Sequence, residues 1–200
     1  MLDSQLNTGM QADTVEKTNL ELWGLYNLQR GSRHNILYYG FRAAFYSRWN
    51  NVFQLIASLL SLSAVAGFLT IGSDGHVLGK VIAGAVGAIS AICAVIPTVF
   101  DYAGQIKKFE RLHFAYCEIY HVTGLLLLDI RRGGVLTPEQ LGTAKTVNEL
   151  YSRLGQMDET DVKSKTSRRF EEQVRKEFPA ERLWYTGTDV QAEHASAQAT

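Results

Sequence analysis

VFQLIASLLSLSAVAGFLTI, residues 52–71, and VIAGAVGAISAICAVIPTVF, residues 81–100, are separated only by GSDGHVLGK, residues 72–80. Neither apolar run contains a Lys, Arg, Asp, Glu or His. At about 1.5 Å of rise per residue, a helix of about twenty residues spans about 30 Å, the thickness of a bilayer's hydrocarbon core. A soluble surface helix would keep one polar face, and these runs have no charged face. Their polar exceptions are Ser58, Ser61, Ser63, Thr70, Ser90 and Thr98, whose hydroxyls are expected to bond back to their own helix. The competing reading is a buried hairpin in a soluble α protein. A chain of 200 residues has little left to wrap two helices that are apolar all round. The expected fold is therefore an all-α membrane protein: a transmembrane hairpin over 52–100, with N- and C-terminal cytosolic helices packed as a bundle. Gly72, Gly75 and Gly79 suit the reversal.

The flanks set the expected orientation. Arg42 and Arg48 precede the first run, and Lys107, Lys108 and Arg111 follow the second, whereas the turn carries only Lys80. Basic residues stay on the cytosolic side, so both termini are expected there. YYGFRAAFYSRW, residues 38–49, is dense in aromatics. Tyr38, Tyr39, Arg42, Tyr46, Arg48, Trp49, Lys107 and Lys108 are expected to anchor the hairpin at the interface. An aromatic core is the other reading of this stretch, and both can hold on different faces.

Whole-chain averages hide this segregation: hydrophobic residues are 46%, charged residues 20% and mean hydropathy is −0.07. The net charge of zero and pI near 7.0 give no basic surface for nucleic acid. Cys93 and Cys117 are poor disulfide candidates, which fits a reducing compartment. Residues 1–19 lack the basic and apolar regions of a signal peptide and are expected to be a flexible lead.

The second run carries small residues at helical spacing: Ala83, Gly84, Gly87, Ala88 and Ala91. Small residues let helices approach closely in lipid, so this seam is expected either between subunits or against the first span. Pro97 removes a helix hydrogen bond near the end of the run, and Asp101 follows it. The two are candidates for a hinge or gate, with a static bend the plainer role for Pro97 and simple solvation for Asp101.

From residue 101 to 135 a long helix is expected to continue from the second span. Tyr102, Ile106, Phe109, His113, Tyr116, Tyr120, Thr123, Leu127 and Ile130 recur at spacings of three and four, and Leu112, Ile119 and Leu126 widen the stripe, a heptad-like, coiled-coil period. Its partner is either the N-terminal helix over 20–51 or the same helix of another subunit. Gly133 and Gly134 should end it. Thr137, Pro138 and Gln140 form a helix start with a capping box. C-terminal helices are expected over 136–180, the last with Phe170, Val174 and Phe178 on one face. A flexible tail is expected over 181–200.

Catalytic signatures are lacking: GxSxG, a Gly-rich phosphate loop, HExxH and CxxC are all absent. His113, Cys117 and His121 share a helix face, but the outer pair lie about 12 Å apart along the axis, too far for one ion. No enzyme activity, cofactor or metal is expected. Lys163, Lys165, Arg168 and Arg169 read as a solvated helix face.

LWGLYNLQRGSRHNILYY, then GFRAAFYSRWNNVFQLIASLLSLSAVAGFL, then a short turn, a second span and long cytosolic helices resemble the SLATT family of two-span proteins in bacterial conflict systems. The resemblance covers roughly residues 20–155 and rests on architecture and on the approach to the first span, not on an invariant motif. It implies a pore-forming effector of anti-phage defence in the bacterial cytoplasmic membrane, a homo-oligomer partnered by the lipid bilayer and by a nucleotide-synthesising or nucleotide-sensing cytosolic protein. It carries over no catalytic residues. The alternative expectation is a non-conducting membrane anchor or scaffold that recruits a cytosolic partner.

Overall fold

The computed structural model describes residues 2–71, 77–134, 136–157 and 165–185. The expected turn at 72–80 lies outside the described residues over 72–76. Every regular element among them is helical: α1 (Leu2–Ile71), α2 (Val77–Val99), α3 (Tyr102–Gly133), α4 (Pro138–Gln156), α5 (Lys165–Glu177) and a 3₁₀ turn (Ala180–Arg182).

Two boundaries differ from expectation. The flexible lead over 1–19, the helix over 20–51 and the first span were expected as separate segments, but α1 runs unbroken from Leu2. The reason is local: proline, the one residue that forces a break, first occurs at Pro97. Thr18, within the expected lead, is buried. The second difference lies between α2 and α3, which were expected to be continuous. The helix ends at Val99, two residues after Pro97, and resumes at Tyr102.

The chain divides into two compact units, residues 1–38 with 112–200, and residues 39–111. In the first, α3 lays its stripe against the N-terminal part of α1. Leu22, Leu25 and Tyr26 pack with Leu126, Leu127, Ile130 and Ala144. Of the two partners open to α3, the one seen is α1 of the same chain. Within the stripe Leu112, Tyr116, Ile119, Thr123 and Ile130 are buried, while His113 and Tyr120 are half-buried. Gly134 ends α3 at φ +70, its N–H donating to the Ile130 carbonyl at 2.8 Å. This left-handed conformation suits glycine.

α4 starts as its sequence dictates. Thr137 Oγ1 accepts from Gln140 N at 3.3 Å, and Gln140 Oε1 accepts from Thr137 N at 2.9 Å. Two orphan donors are satisfied reciprocally. Ala144, Val147 and Leu154 face inward. A Cβ at Gly31 of α1 would collide with the Tyr151 hydroxyl of α4 and push that ring aside. α5 buries Ser167 and Val174 and half-buries Phe170 and Phe178. The Phe178 ring meets Tyr120 edge-on at 6.3 Å.

The expected tail over 181–200 does not begin free. Leu183, Trp184 and Tyr185 pack on the core, and the Tyr26 hydroxyl donates to the Trp184 carbonyl at 2.8 Å. The aromatic bulk of Trp184 and Tyr185 gives this short segment enough apolar area to dock. Residues beyond 185 lie outside the described residues.

Candidate functional site

The second unit holds the two apolar runs, and serines join them. Ser90 Oγ of α2 donates to the Ala57 carbonyl of α1 at 2.9 Å. That spends its one proton, so in the 2.6 Å contact between Ser61 Oγ and Ser90 Oγ the Ser61 hydroxyl donates. Ser90 and Ala57 are both buried. Ser58 and Ser63 instead donate to the carbonyls of Gln54 and Leu59, each at 2.8 Å. Backbone bonding thus holds for two of these hydroxyls, while Ser61 and Ser90 bond across the hairpin. A single sequence offers no means to pair residues 29 positions apart.

Outside this seam the runs are bare. Leu55, Leu59, Leu62 and Val65 on α1, and Val81, Ile82, Ile89, Ile92, Val95 and Val99 on α2, are exposed. One helix among the described residues is long and apolar enough to span a membrane. Its apolar window has mean hydropathy 1.7 and is only 6% buried. The core helix of a soluble protein would be mostly buried.

The small residues fall on two faces: Gly87, three residues before Ser90, shares the face that meets α1, whereas Gly84, Ala88 and Ala91 turn outward. Gly84, Ala88 and Ala91 are exposed and Gly87 is half-buried. Among the described residues a Cβ placed on Gly84 or Gly87 meets nothing within 4 Å. The side chain of Ala83 lies outside the described residues. Ala91 also borders a wholly apolar hollow of about 330 Å³ with Ile92, Val95, Ile96, Val99 and Phe100.

Asp101 is more than a solvated carboxylate. Its φ is +46, a left-handed conformation that non-glycine residues adopt at a cost. From there it caps α3: Oδ1 accepts from Gly104 N at 3.1 Å, and its carbonyl accepts from Gln105 N at 2.9 Å. A Cβ at Gly104 would overlap the capping carboxylate. Pro97, the strained cap and Gly104 thus make one structural break. The spacing D-x-x-G was the available signal for it.

The expected anchors divide. In the second unit Tyr39 is buried and stacks on Phe109 at 6.0 Å. Tyr46 stacks on Phe109 at 5.6 Å and meets Tyr102 edge-on at 5.5 Å. The Arg42 guanidinium lies 5.0 Å from the Phe109 ring centre, in cation–π range. These residues form an inner aromatic cluster, not a lipid-facing belt. Phe41, Phe45 and Trp49, four residues apart, form the exposed face, and Arg48 and Lys107 are exposed; Lys108 is half-buried. Ile106 is half-buried. Tyr38, in the first unit, is buried. Of the expected anchors, Tyr38 and Tyr39 are thus the two whose side chains are fully buried.

In the first unit, His113 Nδ1 donates to the Ile36 carbonyl at 3.0 Å, leaving Nε2 to face Cys117 Sγ at 3.7 Å. His121 is exposed. Burial pushes the Cys117 thiol above its ordinary value, which disfavours a reactive thiolate. Among the described residues no His, Cys, Asp and Glu group could hold a metal ion. No family model, curated protein or solved structure matches the chain.

Proposed function

We propose that this chain is a bacterial membrane effector whose two apolar runs cross the bilayer as a hairpin, with both termini cytosolic, and whose copies assemble through α2 to open a pore. One observation carries the reading. The Ser61–Ser90 contact holds the runs together, while Gly84, Ala88 and Ala91 are exposed and a Cβ added at Gly84 would meet nothing within 4 Å among the described residues. An outward small-residue face supports its use between chains, since close packing drives helix association in lipid. Exposed apolar residues on both runs support burial in lipid. Arg42, Arg48, Lys107, Lys108 and Arg111 against the single Lys80 support cytosolic termini. The conflict role rests on the SLATT resemblance, as does a nucleotide-synthesising or nucleotide-sensing partner.

The test is dye release from liposomes by the full chain beside Gly87→Leu. Gly87 shares the Ser90 face, so circular dichroism and insertion of the variant are checked beside release, and Gly84→Leu, at an exposed position, repeats the test. Release by the wild type and its suppression in the variant support the pore; equal release by both contradicts the assembly face. A second reading, a non-conducting anchor that recruits a cytosolic partner, is favoured by exposed Phe114, Leu125 and Leu128 on α3. It predicts sealed liposomes with verified insertion.

A further inference from the structure

A second feature, wholly within the unit of residues 1–38 and 112–200, is independent of the hairpin. Three helices border an open cleft of about 420 Å³, lined by Arg30 and His34 of α1, Tyr151 of α4, and Ser167, Glu171 and Arg175 of α5. We propose that it binds a small organic phosphate through the two arginines.

Charge comes first. Arg30 and Arg175 bring two guanidinium groups from different helices, and Glu171 is the one carboxylate on the lining. Glu171 accepts from Arg175 at 3.1 Å, but both side chains are mostly exposed, at 63% and 71%. An exposed pair at this spacing holds its partners weakly, so a phosphate can recruit Arg175 without losing much. Guanidinium forks match phosphate oxygens in geometry and charge.

Order comes second. His34 Nε2 donates to the Ser167 carbonyl at 3.1 Å and lies 3.2 Å from Ser167 Oγ. Ser167 is only 3% exposed. This clasp fixes α5 against α1 beside the cavity. The Tyr151 hydroxyl over Gly31 fixes α4 in the same way. Donors on two facing helices suit a tetrahedral anion, whose oxygens point several ways, better than a planar carboxylate. The volume exceeds a bare phosphate and falls in the range of small-molecule sites, which leaves room for the group that carries it. A free organic phosphate and a lipid headgroup offer the same chemistry.

The experiment uses the full chain in phosphatidylcholine nanodiscs, titrated with pyrophosphate at ionic strength matched with chloride and read by phosphorus NMR line broadening. Saturable broadening is expected, with affinity lower by about tenfold or more in Arg30→Gln and in Arg175→Gln. Arg153→Gln, an exposed arginine of α4 away from the cavity, should bind as wild type. Circular dichroism of each variant checks its helices. Phosphatidylglycerol nanodiscs separate the sources: unchanged pyrophosphate binding assigns the site to a free phosphate, and competition assigns it to a headgroup, each upholding the phosphate site. Absence of saturable broadening, or full affinity retained with both arginines replaced in folded protein, overturns it.

Discussion

Ser61 and Ser90 share a 2.6 Å hydrogen bond between the two apolar runs, and the Ser90 hydroxyl itself donates to the Ala57 carbonyl. Among the described residues this is the polar seam between the runs. It fixes which face of α2 turns toward α1, and so which face carries the exposed small residues.

Replacing Ser90 with Ala removes both contacts and should destabilise the hairpin by about 1 kcal/mol, the scale of interhelical hydrogen bonds in lipid. Ser61→Ala should cost less, because Ser90 keeps its bond to Ala57. Thermal unfolding in detergent, followed by circular dichroism, ranks the two. Ser61→Ala costing clearly more than Ser90→Ala would contradict the donor assignment.

The break at Asp101 gives a second ranking. Asp101→Ala loses the cap and keeps the left-handed backbone, at a cost of about 1–2 kcal/mol. Asp101→Asn retains an acceptor and tolerates that backbone, so it should stay within about 0.5 kcal/mol of wild type. Gly104→Ala should resemble Asp101→Ala, since the new methyl displaces the carboxylate. The same unfolding assay checks all three.

Thr123 is fully buried, and its hydroxyl has no hydrogen-bond partner among the described residues. Thr123→Val keeps the shape and removes the unsatisfied group, so it should be neutral or stabilise by up to about 1 kcal/mol. Thr123→Ala also removes a buried methyl and should be less stable than Thr123→Val by about 1 kcal/mol. Denaturant midpoints of the two variants decide it.

Arg33 Nε donates to Glu177 Oε2 at 2.8 Å, joining α1 to the end of α5. The guanidinium holds the Glu177 carboxyl below its ordinary value. A depressed carboxyl stabilises the fold above its unfolded pKa of about 4.3 and loses that contribution as pH falls through the lower folded value. Both side chains are about a third exposed, 31% and 32%, so screening keeps the effect below about 1 kcal/mol. Wild type should therefore exceed Glu177→Gln in stability at pH 7, and the gap should close below about pH 4. Unfolding midpoints across that range test the sign.

Legibility followed the range of the interaction. The capping box at Thr137 and Gln140, the glycine stop after α3 and the α3 stripe were all readable, because each depends on residues within a turn or two. The pairing of Ser61 with Ser90, the docking of Trp184 on Tyr26 and the cavity between Arg30 and Arg175 were not, because each joins positions far apart in the chain. Tyr38 and Tyr39 show a subtler loss. An aromatic-rich approach to an apolar run looks the same whether its rings face lipid or one another, and only the burial of these two against exposed Phe41, Phe45 and Trp49 separates the faces.

The most direct test of the hairpin is labelling with a membrane-impermeant maleimide in spheroplasts, on a background with Cys93 and Cys117 replaced by Ala and Ser. Ser73→Cys marks the turn, and Gln140→Cys marks α4. The account predicts that Ser73→Cys labels in intact spheroplasts and that Gln140→Cys labels only after permeabilisation. Labelling of neither site until permeabilisation, with the chain recovered in the soluble fraction, would contradict it.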